Sequence, residues 1–150
     1  MQQLNFPAYK FNVITNNTKP YIFDVVRKKY VALLPEEWVR QHLLHYFITQ
    51  KQFPKGLIKV EQHIKVNQMK RFTDVSVFNK QGQPVLIAEC KSYKIKLSQY
   101  TFEQIAAYGA TLQPNYFVLT NGLQHFVYQL NWQNKASTFL KDVPIFNQMI

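Results

Sequence analysis

Asp74, Glu89 and Lys91 are the residues whose types and spacing suggest chemistry. They lie in RFTDVSVFNKQGQPVLIAECK, residues 71–91. This stretch reads as two strands, Arg71 to Phe78 and Val85 to Lys91, joined by the turn NKQGQP, with Gly82 and Pro84 as its punctuation. An antiparallel pairing with Phe78 opposite Val85 sets Ser76 against Ile87 and Asp74 against Glu89. The two-residue period then puts Lys91 on the face of Glu89. Directly opposed residues have Cβ atoms about 4.5–5.5 Å apart, so two carboxylates meet with an ammonium beside them. Like charges in that position destabilise a sheet unless something compensates. The pair can share a proton, take up cations or hold a hard metal ion. The bland alternative is a surface salt bridge between Glu89 and Lys91 with Asp74 in solvent. A slip of one residue in register would part the two acids altogether.

Several elements must position that pair. Val75, Val77, Leu86 and Ala88 on one face, and Phe78, Val85 and Ile87 on the other, imply a sheet covered on both sides. Pro35 to about Gln50 is a helix with an apolar stripe of Val39, Leu43, Tyr46 and Phe47. Glu36 lies on that inward face and Glu37 points elsewhere. Glu36 is read either as an acid aimed at the site or as an end charge favouring the helix dipole, with an ion pair to Arg40. His42 and His45 have no ligand partner at a useful spacing and are expected to pack or to face solvent. After the break at FPKG, Leu57 to Val66 is a strand bent near His63, with Glu61 solvated. Glu61 is the fallback acid should Glu36 prove remote. The segment NQMKR brings Lys70 and Arg71 towards the site.

A second helix is expected from about Ser98 to Leu112, with a buried stripe of Phe102, Ile105, Ala106, Gly109 and Leu112. Gln104 and Tyr108 share an adjacent face at i, i+4. Gln104 alternatively closes a capping box with Thr101. Asn115 to Thr120 and His125 to Trp132 are strands, with Asn121-Gly122 as a turn between them. Near the N-terminus, NNTKP is turn-like, and residues 21–26 and 30–34 suggest a small hairpin. It carries Arg27, Lys28 and Lys29, read as a solvated turn or as phosphate contacts. The order helix, three strands, helix, two strands predicts an α/β domain with a mixed central sheet. A single domain is expected over residues 1–150, with an extension at 1–34, a core at 35–132 and a C-terminal arm at 133–150.

Eighteen Lys and Arg against eight Asp and Glu give a net charge of +10. That excess suits a polyanion, most simply nucleic acid, although it also serves solubility. Cys90 is the only cysteine, so no intrachain disulfide forms and no Cys/His zinc cluster exists. Cys90 should point to the sheet face opposite Glu89, into the core. No apolar run approaches the roughly 20 residues of a membrane span, and the N-terminus lacks a signal peptide's apolar region. No membrane association is expected, and the cytoplasm is the expected compartment.

The order Asp74, hairpin, Glu89-Cys90-Lys91 resembles the PD-(D/E)XK nuclease motif, in particular the N-terminal nuclease domain of type I restriction enzyme R subunits and their stand-alone relatives. The resemblance runs from PEEWVRQ at Pro35 to LTNG at Leu119. Glu36-x-x-x-Arg40 resembles the helix motif whose Glu reaches the metal site. Gln104-x-x-x-Tyr108 resembles a motif whose Gln lies near metal and phosphate. R subunits continue into a helicase motor, for which 150 residues leave no room, so a stand-alone form is expected.

The resemblance implies a restriction-endonuclease-like three-layer fold and a Mg²⁺-dependent endonuclease acting on DNA, with Mn²⁺ as substitute. Asp74, Glu89, the Cys90 carbonyl and Glu36 are the expected metal ligands. Lys91 would orient water and stabilise charge, and Gln104 would position water or phosphate. Lys70, Arg71, Lys94, Lys96 and Tyr108 are the expected nucleic-acid contacts. The expected partners are DNA and a helicase, translocase or other restriction-system subunit. Oligomeric state is left open. The rival is a nucleic-acid-binding or assembly module that does not cut, for which the basic charge and Tyr93, Tyr100 and Tyr108 would suffice. A small-molecule enzyme is a weaker third reading, since no glycine-rich phosphate loop supports it.

Overall fold

Alternating apolar residues in the middle of the chain build a sheet, and two helices cover its faces. The computed structural model describes residues 1–66 and 69–150, and for residues 64, 66, 69–71, 104, 105, 107 and 108 the backbone alone. Strands β1 (Val13–Asn16), β2 (Lys19–Asp24) and β3 (Lys29–Ala32) form a small antiparallel sheet. The hairpin expected over residues 21–34 is present, and β1 precedes it. Asn17 and Thr18 join β1 to β2 with φ of 49° and 66°, the positive values that a tight two-residue hairpin turn requires.

Helix α1 (Pro35–Thr49) starts on its proline, with Glu36 and Glu37 in the first turn. Val39, Leu43, Leu44 and Phe47 are buried in the core. Tyr46, expected in that stripe, is half-buried, and its hydroxyl donates to Asp142 at the surface. Glu37 also departs from expectation. It points inward and is buried among arginines. Polar burial on that side explains why the helix is covered beyond its apolar stripe. Of the two readings open for His42 and His45, packing is the one found, against Phe11.

Strands β4 (Ile58–Val66), β5 (Met69–Phe78), β6 (Pro84–Cys90), β7 (Tyr116–Thr120), β8 (His125–Asn131) and β9 (Ala136–Leu140) form a six-stranded sheet in sequence order. Among the described residues only β6 and β7 pair in parallel. Helix α2 (Gln99–Leu112) makes the crossover between them. A short helix, α3 (Phe146–Met149), closes the chain. The bend in β4 falls at Glu61, which has φ of 55°, rather than at His63. β9 was hidden in the sequence because its residues ASTFL are exposed except for half-buried Leu140 and show no alternation of burial. Residues 136–140 are therefore an edge strand rather than part of a packed arm. The rest of the tail does pack, through Val143, Phe146 and Met149.

The two faces of β6 assign the layers. Leu86, Ala88 and Cys90 join Val75, Val77 and Val118 beneath Val39, Leu43 and Phe47 of α1. Ile87 joins Phe117 and Leu119 beneath Phe102 and Leu112 of α2. This is a three-layer α/β fold with a mixed central sheet. Each fully buried Leu, Ile, Val or Phe contributes roughly 1.5–3 kcal/mol. Ala106, expected in the buried stripe of α2, is exposed. Gly109 is buried, and a Cβ there would meet the Trp132 ring at 3.1 Å. Ser98 is the N-cap, and its side chain accepts from Thr101 N–H. Thr101 thus lies inside the helix and opens no capping box. Among the described residues no helix is long and apolar enough to cross a membrane.

Candidate functional site

The site forms where β5 leaves β6. Their ladder pairs Val77 with Leu86, Ser76 with Ile87 and Val75 with Ala88, and no pairing follows Val75 towards Asp74. The register over Val75–Val77 is the one read from the sequence. At the turn it differs, because a bulge between Val77 and Phe78 sets Phe78 against Pro84 rather than Val85. At the other end the Asp74 side chain takes over from the ladder, and its Oδ2 accepts the Cys90 amide hydrogen at 2.7 Å. A carboxylate bonded to a backbone amide in this way is fixed in orientation.

Glu89 is the most perturbed acid of the group. Burial pushes its carboxyl well above the usual carboxylate range. The Asp74 charge and a side-chain hydrogen bond with Asp74 add to that, while Lys91 opposes it. Glu89 Oε1 is buried and has no hydrogen-bond partner among the described residues. Two carboxylates this close cannot both ionise cheaply. Cys90 alternates to the opposite side, where its thiol is buried among apolar residues. Burial raises its pKa first, and the Asp74 charge next.

Glu36 is half-buried at the start of α1. Burial raises its pKa, the charge of Asp74 raises it further, and Arg40 and Lys91 pull it down. These four side chains therefore share one electrostatic neighbourhood. Glu37 and Glu61 are engaged with arginines instead. Among the described residues no group of three or more His, Cys, Asp and Glu is arranged to hold a metal ion. Lys91 is half-buried, and its backbone N–H bonds Thr120 O at 2.8 Å.

Lys94 and Lys96 are exposed on the segment between β6 and α2. Asn121, read from the sequence only as a turn residue, is buried and donates to Ile95 O at 2.8 Å, pinning that segment. Gln104 and Tyr108 lie on α2, and Lys70 and Arg71 on β5. The side chains of these four are outside the described residues. His63 and Phe72, cross-strand partners, meet in a tilted contact with ring centroids 4.2 Å apart and remain exposed.

A buried ion-pair network behind Asp74 was not read from the sequence. Arg40 binds Glu37 through Nε and Nη2, both at 2.9 Å, and its Nη1 stands 3.5 Å from Asp74 Oδ1. Burial works against the Arg40 charge, but the Glu37 bonds and the nearby negative charges outweigh it, so its pKa lies above the ordinary value. Arg27, in the turn after β2, binds Asp24, Glu37 and Glu61. It is mostly buried, so it is not part of a solvated turn, whereas Lys28 and Lys29 are exposed. The signal was available in the i, i+3 spacings Asp24–Arg27 and Glu37–Arg40.

A mixed sheet between two helices, with paired acids on adjacent central strands, defines a restriction-endonuclease-like domain. The chain belongs to the family described as "Type I restriction enzyme R protein N terminus (HSDR_N)", whose model matches residues 35–144. No curated protein sequence matches it. Among solved structures it is similar to a fragment described as the HsdR subunit of a type I restriction enzyme from Vibrio vulnificus YJ016. The TM-score is 0.55 at 13% identity, over 77% of this chain and 24% of that one. The type IIG restriction endonuclease BpuSI gives a TM-score of 0.47 at 16% identity, over 73% of this chain and 13% of that one. The chain thus spans about a quarter or less of the proteins it matches in structure.

Proposed function

We propose that this domain is a PD-(D/E)XK endonuclease that hydrolyses DNA phosphodiester bonds with Mg²⁺, or with Mn²⁺ in its place. The observation that carries the reading is the close Asp74–Glu89 pair, in which Glu89 is buried, its carboxyl is raised by burial and by the Asp74 charge, and its Oε1 has no hydrogen-bond partner among the described residues. A buried oxygen without a partner is costly, and a bound cation would satisfy it. The donors are carboxylate and carbonyl oxygens, which suit Mg²⁺ rather than zinc. Mg²⁺ commonly takes one or two carboxylates and keeps several waters, which fits two acids better than a full protein cage.

Asp74, Glu89 and the Cys90 carbonyl would hold the ion, and Glu36 would reach it through water. The ion supplies Lewis-acid stabilisation and a more acidic water. Lys91, next along the chain from Cys90, orients the attacking water and stabilises charge developing on the phosphate. Gln104 positions water or phosphate. Lys70, Arg71, Lys94, Lys96 and Tyr108 hold the DNA strand. The family supports a restriction-system setting, with a helicase or translocase delivering DNA and the cytoplasm as the compartment.

The test is nicking of supercoiled plasmid with Mg²⁺ or Mn²⁺, with EDTA as control and Lys91→Ala alongside. Metal-dependent nicking that Lys91→Ala loses supports the enzyme. Absence of nicking on duplex, single-stranded and branched DNA, with and without a helicase partner, would leave a non-cleaving binding or assembly module.

A further inference from the structure

Arg27 and Arg40 share two carboxylates. Glu37 Oε1 accepts from Arg27 Nη2 and from Arg40 Nη2, each at 2.9 Å. Glu61 accepts from Arg27 Nη1 at 3.2 Å and from Arg40 Nη2 at 3.3 Å. Gln41 ties the set together by donating to Asp24 and to Glu37, both at 3.0 Å. Asp24, Glu37, Arg40 and Gln41 are all buried.

A guanidinium is planar and rigid. Once Nε and Nη2 of Arg40 are fixed on Glu37, the direction of Nη1 is no longer free. Nη1 is buried, has no hydrogen-bond partner among the described residues, and faces Asp74 Oδ1 at 3.5 Å. The other Asp74 oxygen is held by Cys90 N–H. Asp74 is thus gripped from two sides, and one grip is set by a chain of contacts that begins in the N-terminal sheet.

We infer that the N-terminal three-stranded sheet braces the carboxylate site, with Arg27 and Arg40 as positioning residues that orient Asp74 through Glu37. Asp24 and Arg27 lie outside residues 35–144, the stretch covered by the family model. The brace is therefore supplied by a part of this chain that the family description leaves out. Packing alone does not require it, because buried ion pairs can often be replaced by apolar residues of similar volume without loss of stability. What such residues cannot do is aim a donor at Asp74. The positional claim is independent of catalysis, and only its consequence for metal binding rests on the proposed function.

Cys90 is the only cysteine, so the full chain labelled with ¹⁵N-cysteine gives a single backbone amide signal. That amide is the one bonded to Asp74 and so reports the position of its carboxylate. The experiment compares this signal in the wild type, Arg27→Gln, Arg27→Lys, Arg40→Lys and the exposed control Lys28→Gln, with a Mn²⁺ titration of each. In Arg27→Gln the Cys90 proton is expected to move upfield, and its exchange to quicken about tenfold as a charge-assisted bond loosens. Arg40→Lys should do the same. Arg27→Lys should shift the signal in the same direction, since an ammonium has no fork to span Asp24 and Glu37. Lys28→Gln should leave the signal in place. Gly82→Ala, strained at the turn at the far end of the β5–β6 hairpin, should quicken exchange without moving the signal.

An unmoved Cys90 signal in folded Arg27→Gln and Arg27→Lys overturns the brace. If Mn²⁺ binds the wild type but the signal does not move, the brace fails and the metal reading stands. If the signal moves but no protein binds Mn²⁺, the brace stands and the metal reading fails.

Discussion

Asp74 Oδ2 accepts the Cys90 amide hydrogen at 2.7 Å where the backbone pairing of β5 with β6 has ended. One side chain therefore satisfies a buried donor and also fixes an acid beside Glu89. These two roles separate in Asp74→Asn, where the amide oxygen can still accept from Cys90 but the charge is gone. The variant should fold with stability within about 1–2 kcal/mol of wild type, the worth of a hydrogen bond made neutral. Metal binding and nicking should be lost. Urea denaturation paired with Mn²⁺ titration checks both, and unaltered Mn²⁺ affinity would remove Asp74 from the ligand set.

Lys91 is assigned to water and developing charge, not to holding the ion. Lys91→Ala should keep Mn²⁺ affinity and most DNA affinity while losing about 10²–10³ in rate, the usual cost of one positioned charge at a reacting centre. Single-turnover nicking at saturating metal measures this. Equal rates for both proteins would point to a contaminating nuclease.

The sheet, both main helices and the Asp74–Glu89 juxtaposition were legible because strands have a period of two and helices of 3.6. Ser76 opposite Ile87 follows from that alone. The pairing of Phe78 with Pro84 was not legible, because a bulge adds a residue without any pattern in the side chains. β1 and β9 were missed for a shared reason. Both are exposed, so they carry no alternation of burial to read. The Arg27–Glu37–Arg40 network escaped because it joins three separate elements. Spacing within one helix suggests Glu37–Arg40, but nothing local says that Arg27 folds over to meet them. Glu36 was placed towards the site by its stripe, and the same stripe wrongly sent Glu37 outward, because buried charge obeys partners rather than periodicity.

Removing one member of that network should be expensive. Glu37→Leu leaves two arginines facing the gap, and breaking a buried pair from one side typically costs about 3–5 kcal/mol. Acid should probe the same groups. Burial would raise the Asp24 and Glu37 carboxyls, but bonds from Arg27, Arg40 and Gln41 outweigh it and hold both below their ordinary values. Acids depressed in the folded state contribute stability that is complete above their unfolded values. That stability is lost as pH falls through the folded ones. The urea midpoint should therefore drop on acidification below about pH 5, and the drop should be shallower in Glu37→Gln. A flat midpoint over that window would mean that the network stabilises nothing.

Gly122 and Gly82 both have positive φ, 85° and 78°, yet substitution should affect them differently. At Gly82 a Cβ would meet nothing within 4 Å, so alanine pays the left-handed backbone penalty alone, roughly 1–2 kcal/mol. At Gly122 a Cβ would sit 2.8 Å from Leu4 Cδ2 and 3.1 Å from Val39 Cγ2. Gly122→Ala should cost distinctly more, because it also pushes the N-terminal segment off α1. Thermal melting of the two variants gives the comparison, and equal losses would mean that Leu4 yields freely.

The charge excess of +10 makes the last prediction, on DNA. Lysines that contact phosphate release counterions, so affinity should fall steeply as salt rises, with a log–log slope of about −0.9 for each phosphate neutralised on duplex. Lys94 and Lys96 stand exposed on the segment that Asn121 pins beside the site. Lys94→Ala and Lys96→Ala should each reduce the slope by about 1 without altering sequence preference. Asn121→Ala should weaken affinity as well, through loss of the pin at Ile95, even though it removes no charge. Fluorescence anisotropy with one labelled duplex, titrated from low to physiological salt, measures all four proteins. A slope unchanged in both lysine variants would move the DNA path off this segment. A wild-type affinity indifferent to salt would mean that the basic surface serves a partner other than nucleic acid.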